Sequence, residues 1–209
     1  MTILLILLFS LSLVYISIAE RFKTYAALIG FQGILLFGIS FFELKHVDTI
    51  NLIFIFAETI IFKTIIVPML LFRVIERSKS EKVHKDALPG YYSVILVSIM
   101  LVCSYLISFF LEHPVVDKVY FTVSLFALFS GLLLIITHKK IFSHMVGFLV
   151  LENAVFLFSL AIGNEMPMLI NTGILLDIFI SVLILGTFAT KIGDTIQSLE
   201  TDELTHLKD

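Results

Sequence analysis

Residues 141–162 read IFSHMVGFLVLENAVFLFSLAI, an apolar run of 22 residues broken by one acid, Glu152, between Lys139-Lys140 and the turn Gly163-Asn164-Glu165. A helix needs about 20 apolar residues to cross a hydrocarbon core, so this run is long enough to span a bilayer and places a carboxyl near its centre. The same criterion applied outward gives six more runs, 2–19, 24–42, 49–72, 89–111, 119–137 and 166–190. Of the 209 residues 59% are hydrophobic and 15% charged, where a soluble domain carries about a quarter charged. Mean hydropathy is +1.07. The fold class that follows is an all-α integral membrane protein with seven transmembrane helices.

Composition also excludes several function classes. A formal net charge of −3 with no basic tract leaves no electrostatic footprint for nucleic acid, and Cys103 alone cannot form an intrachain disulfide or a cysteine metal cluster. Soluble-enzyme readings fall with them. With 21 Phe and no Trp, any aromatic belt must be built from Tyr and Phe.

Lys and Arg positions set the orientation. Counting alternate loops, one side holds Arg21, Lys23, Arg73, Arg77, Lys79, Lys82, Lys85, Lys139, Lys140, Lys191 and Lys208, which is 11 of the 14. The other side holds Lys45 and Lys118, and Lys63 lies inside the third span. Positive loops stay cytoplasmic, so the N-terminus is expected outside and the C-terminus inside. Tyr25, Tyr91, Tyr92 and Tyr120 fall near span ends, as amphipathic rings should. The first span ends in Ser17-Ile18-Ala19, like a signal-peptide cleavage site, but no basic residue precedes it and Arg21 and Lys23 follow. That pattern reads as a retained helix.

Shifting the chain by 119 residues lays spans one to three on spans five to seven and brings Glu58 onto Asp177. Both triplets would run out-in, in-out, out-in, with span four as the return, so the chain reads as a parallel repeat of three-helix units. The organisation is then a first unit at 1–72, a cytoplasmic loop and linker helix at 73–118, a second unit at 119–190 and a polar cytoplasmic tail at 191–209. The loop from Arg73 to Leu88 has five basic and three acidic residues and serves as a solvated connector or a docking strip.

The candidate functional residues are the charges inside spans: Glu58 and Lys63 in span three, Glu152 in span six and Asp177 in span seven. Each lies near the middle of its run, within roughly 5 Å of the midplane at about 1.5 Å per residue. In an antiparallel hairpin about the Gly163–Glu165 turn, Glu152 and Asp177 come level on adjacent helices. Such groups cost at least about 2.5 to 3.5 kcal/mol each to insert, so they should face protein or water. Glu58 and Lys63, five positions apart, are about 140° apart on an α-helix and are not expected to pair along one face. Lys63 is expected to meet a carboxylate from another helix. Two readings stand: an inter-helix ion pair that only holds structure, or a row of carboxylates with one lysine that relays protons or cations. Burial disfavours an ionised group and a nearby opposite charge favours it, so proton loading would depend on which partner is close.

Other polar residues are weaker signals. His144 lies two turns before Glu152 and is either a cytoplasmic entrance to the relay or an interfacial histidine. Pro68 removes a backbone donor and frees the Thr64 carbonyl, favouring a kink near Lys63. Asn153, Asn171 and Thr172 could bond between helices or hold water, and Gln32-Gly33 occupies the repeat position of Leu151-Glu152. No catalytic, cofactor-binding or metal-ligating residue is expected in this chain.

The stretch Phe62-Lys63-Thr64-Ile65-Ile66-Val67-Pro68-Met69-Leu70-Leu71-Phe72-Arg73 resembles the Lys-then-Pro helix of component E of hydrogenase-4-type membrane complexes, and this resemblance covers nearly the whole chain. Spans six and seven, with Leu151-Glu152-Asn153-Ala154-Val155 and Gly173-Ile174-Leu175-Leu176-Asp177, are similar to the K subunit of respiratory complex I and the C subunit of Mrp-type cation/proton antiporters. The resemblance implies that Glu152 matches the midmembrane glutamate of the small subunits; the match for Asp177 is looser, and Glu58 and Lys63 have no counterpart there.

It further implies a noncatalytic membrane subunit of a complex related to membrane-bound hydrogenase or formate hydrogenlyase, in a bacterial or archaeal cytoplasmic membrane. Its partners would be antiporter-like membrane subunits and a membrane-anchored hydrogenase-type module, and the nickel-iron centre and iron–sulfur clusters would belong to those partners. Two alternatives remain on sequence: a subunit of a Mrp-type antiporter or a stand-alone secondary transporter, and an architectural subunit that conducts nothing.

Overall fold

The computed structural model describes residues 1–19, 21–43, 53, 55–78, 90–111 and 116–162. The run at 166–190 with Asp177, Asn171 and Thr172, and the tail at 191–209, lie outside the described residues.

Among the described residues the regular elements are all helical: α1 (Thr2–Ile18), α2 (Phe22–Glu43), a π-helix (Ala57–Ile66) that runs directly into α3 (Val67–Ser78), α4 (Gly90–Phe110), α5 (Lys118–Thr137) and α6 (Ile141–Ala161). Helix is the expected outcome for such runs, because it satisfies backbone N–H and C=O groups within one segment and so tolerates lipid. Residues Phe22–Glu43, Tyr91–Phe110, Lys118–Thr137 and Ile141–Ala161 are long and apolar enough to cross a membrane by length and composition, and α1 is shorter at 17 residues. The start of α5 follows local chemistry. Asp117 Oδ1 accepts from the N–H groups of Val119 at 2.8 Å and Tyr120 at 3.3 Å, capping α5. The Asp117 N–H in turn donates to the Ala161 carbonyl at 2.8 Å, tying the start of α5 to the end of α6. Asp117→Ala is expected to cost about 1 kcal/mol of stability, read as a lower melting temperature of the detergent-purified protein. An unchanged melting temperature would mean the cap is idle.

One boundary differs from the sequence reading. Residues 73–78, expected as the start of a cytoplasmic loop, continue α3 as helix. The reason is amphipathic spacing: Leu71, Val74 and Ile75 are buried while Arg73 and Glu76 point outward.

Helix α2 sits at the centre and packs against α1, the π-helix, α3 and α6, while α5 and α6 form an antiparallel hairpin about a three-residue turn, His138–Lys140. The hairpin closes on two glycines. A Cβ at Gly131 would lie 2.9 Å from the Gly147 carbonyl oxygen, and one at Gly147 would lie 2.9 Å from that of Gly131. Small residues at an interface let membrane helices approach this closely. The core holds Phe9, Leu13 and Ile16 of α1, Tyr25, Ile29 and Leu36 of α2, Phe126 and Leu134 of α5, and Phe142 and Met145 of α6. Helix α4 is peripheral, with Ile99, Val102, Tyr105 and Phe109 exposed, as suits a surface facing lipid.

A buried carboxylate and lysine cluster as the candidate functional site

The winding of the third helical segment decides the site. Over Ala57–Ile66 the backbone closes i→i+5 rings, with the Val67 N–H donating to the Phe62 carbonyl. Positions five apart then fall on one face, which an α-helix does not allow. The Thr64 hydroxyl donates to the Thr59 carbonyl at 2.9 Å, and Lys63 Nζ comes within 3.6 Å of Glu58 Oε1. The expectation that Glu58 and Lys63 do not pair is therefore corrected: the 140° separation assumed α winding, and the segment is π-wound.

Two absent side chains on α2 make room for this segment. A Cβ on Gly30 would lie 3.0 Å from Pro68 Cγ and 3.3 Å from the Thr64 carbonyl oxygen. A Cβ on Gly33 would lie 2.6 Å from Thr64 Oγ1, 3.0 Å from the Thr59 carbonyl oxygen and 3.1 Å from Lys63 Cβ. Pro68, which has no N–H to donate, stands one residue beyond the point where α winding resumes.

Past Gly33, the Lys63 side chain reaches α6. Its Nζ lies 3.3 Å from Glu152 Oε1 and 4.9 Å from the centre of the Phe156 ring, one helical turn beyond Glu152. Lys63, Glu58 and Glu152 expose only 4%, 6% and 8% of their surface, so water screens them little. Glu58 Oε2 has no hydrogen-bond partner among the described residues. Glu152 is residue 12 of the 21 in α6, close to that helix's middle. Fully ionised, the three groups sum to −1, and one added proton makes the cluster neutral. A site with two charge states that differ by one proton is chemically equipped to take up and release it.

Glu152 is flanked by a second, uncharged polar chain. Asn153 Nδ2 donates to Gln32 Oε1 at 3.0 Å, Gln32 Nε2 donates to Ser12 Oγ at 3.0 Å, and the Ser12 hydroxyl donates to the Phe9 carbonyl at 2.6 Å. Of the two roles read for Asn153, the inter-helix bond is present. Its partner Gln32 was not foreseen, although a lone amide halfway along an apolar run was the signal.

His144 stands apart from the cluster. It lies eight residues from Glu152, about 12 Å of helix rise, and its Nε2 donates to the His138 carbonyl at 2.7 Å, bracing the α5–α6 turn. The more elaborate site at that end was missed in the sequence: buried His138 has Nδ1 3.2 Å from the Leu134 carbonyl and Nε2 3.3 Å from the Tyr25 hydroxyl. The same Nδ1 lies 2.9 Å from the Thr137 hydroxyl. Near the opposite ends of α2 and α5, the Tyr120 hydroxyl donates to Glu43 Oε2 at 2.7 Å. Among the described residues no group of three or more His, Cys, Asp or Glu is placed to hold a metal ion.

Comparison with known proteins adds a relative. The chain is 26% identical over 156 residues to hydrogenase-4 component E of Escherichia coli strain K12, covering 73% of this chain and 71% of the relative. The component E proteins of Escherichia coli O157:H7 and Shigella flexneri match with the same identity and coverage. No family model matches, and no solved structure matches. The similarity, distant in identity but extended along both chains, supports the component E resemblance and, with the apolar helices, a multi-pass membrane protein.

Proposed function

We propose that this chain is a noncatalytic membrane subunit of a hydrogenase-4 or complex I-like energy-converting complex, in which Glu58, Lys63 and Glu152 form part of a midmembrane path for protons or sodium. The observation that carries the reading is a lysine held between two carboxylates, at 3.6 and 3.3 Å, with Glu152 close to the middle of α6. The similarity to component E supplies the setting. Redox chemistry, with its nickel-iron centre and iron–sulfur clusters, takes place in hydrogenase-type partner subunits. Antiporter-like subunits continue the path, and Asp177 extends it within this chain. Seven spans with the N-terminus outside and the tail in the cytoplasm of a bacterium or archaeon complete the proposal.

In this scheme a proton arriving at Glu58 or Glu152 neutralises that carboxylate, and the Lys63 ammonium turns toward the one still charged. Release of the proton restores the starting state. The two ion pairs are alternatives of nearly equal reach, so a small change in a partner subunit is enough to bias them. Gating is required, because each charge crossing a membrane potential releases about 2.3 kcal/mol per 100 mV, which an open path would dissipate.

The test is redox-driven ion pumping in inverted membrane vesicles that carry the assembled complex, wild type against Glu152→Gln. The variant is expected to keep assembly and redox turnover and to lose pumping. Full pumping would sink the relay at this residue. The architectural reading would then be preferred, since a lysine neutralised between two carboxylates and covered by Phe156 also fits a permanent brace. Recovery of the purified chain as a stable, active protein without partners would favour a stand-alone transporter instead.

A further inference from the structure

Beside the charge cluster, Gln32 and Gly33 are neighbours in sequence; Gly33 lies against Lys63, and Gln32 bonds the residue next to Glu152. Gly33 lies against the stem of Lys63, where a Cβ would come within 3.1 Å of Lys63 Cβ. Gln32, fully buried and residue 11 of the 22 in α2, accepts from Asn153, the residue next to Glu152. One peptide unit of α2 thus sets both sides of the Lys63–Glu152 pair. We propose that Gln32 is a positioning residue for the charge cluster: acting through Asn153, it fixes the rotation of α6 that presents Glu152 to Lys63.

Three observations support this. A helical residue projects about 100° from its neighbour, so fixing Asn153 toward α2 fixes the direction of Glu152. The Gly131–Gly147 contact seats α6 against α5, and the Asn153–Gln32 bond adds a directional tie to α2, which apolar side chains alone do not supply. The amide bond is moreover anchored at its far end, since Gln32 Nε2 is held by Ser12, whose own hydroxyl is held by the Phe9 carbonyl. Rotation of α6 would leave Asn153 Nδ2 and Gln32 Oε1, both on buried residues, without each other, which is costly.

The inference rests on the relay reading only for its consequence, and its test does not use pumping. Dicyclohexylcarbodiimide, an apolar reagent that attacks protonated carboxyls inside membranes, reports how firmly Glu152 is held as an ionised partner of Lys63. Labelling of Glu152, Glu58, Glu43 and Glu76 is followed by mass spectrometry on the assembled complex. In Gln32→Leu the labelling of Glu152 is expected to rise several-fold while Glu43 and Glu76 stay at the wild-type rate. The exchange Gln32→Asn with Asn153→Gln, which keeps an amide pair across the same two helices, is expected to restore the wild-type rate. Asn153→Ala breaks the same bond from α6 and leaves Ser12 partnered, so it gives the answer if Gln32→Leu does not assemble. Unchanged labelling of Glu152, or an equal rise at all four acids, would overturn the proposal. Raised labelling at Glu152 combined with full pumping by Glu152→Gln would keep the positioning role and reject the relay.

Discussion

Lys63→Met is expected to remove most of the assembled protein from the membrane, a larger effect than any change at either carboxylate. Methionine replaces the stem of the lysine but not its charge, and leaves Glu58 and Glu152 buried together without a cation. Breaking a buried ion pair by removing one partner costs about 3–5 kcal/mol. That is a large share of the roughly 5–15 kcal/mol by which proteins are stable. The carboxyls can escape part of the cost by binding protons, so the loss should be smaller at low pH than at high pH. Abundance of the chain in membranes, and the melting temperature of whatever is recovered, measure it.

The matching triple variant separates structure from conduction. Glu58→Gln, Lys63→Met and Glu152→Gln together remove every charge in the cluster while keeping its volume. Replacing a whole buried ion group by neutral residues of similar size is often neutral or stabilising, so abundance should return. Pumping should not. Wild-type abundance of Lys63→Met alone would mean that the carboxyls escape the whole cost, by binding protons or by reaching water.

The spans were legible because lipid imposes a coarse code. Uninterrupted apolar runs between charges mark helices whatever their neighbours, and α5 and α6 begin and end within one residue of the expected limits. What failed was winding. A period of 3.6 was assumed for the third span, and on that assumption Glu58 and Lys63 face apart. The sequence held a hint in two adjacent polar pairs with the same spacing, Glu58 with Lys63 and Thr59 with Thr64, both of which the π-helix brings together. Read as a period of five, they point to the observed geometry. The local choice of π over α also depends on Gly30 and Gly33 of another helix, which no local pattern reveals. Partner choice was opaque for the same reason. Gln32 and Asn153 are each amides within an apolar run, but only the packing of α2 on α6 makes them a pair. The length of α3 was lost to a different habit, reading Arg73 as the start of a loop although 71, 74 and 75 already carried a helical apolar stripe.

A comparison of two glycines on α2 tests how tightly the third segment is seated. Gly38→Ala is expected to be harmless. The new methyl would meet Leu5 Cδ1 at 3.0 Å, the far end of a flexible side chain on α1, and alanine gains up to about 1 kcal/mol in helix propensity. Gly33→Ala makes the same chemical change five residues earlier and is expected to cost about 1–3 kcal/mol through overpacking. Its methyl would meet Thr64 Oγ1 at 2.6 Å and the Thr59 carbonyl oxygen at 3.0 Å. The hydroxyl can turn away only by giving up its bond to that same carbonyl, and the carbonyl, being backbone, cannot turn at all. The π-helix must therefore move off α2 by a few tenths of an ångström, and Lys63 moves with it. Gly33→Ala should thus lower both the melting temperature and ion pumping, and Gly33→Leu should block assembly, while Gly38→Ala leaves all three at the wild-type level. If the two alanine variants behave alike, α2 does not clamp the third segment, and the close fit that brings Lys63 to Glu152 must be supplied from elsewhere in the complex.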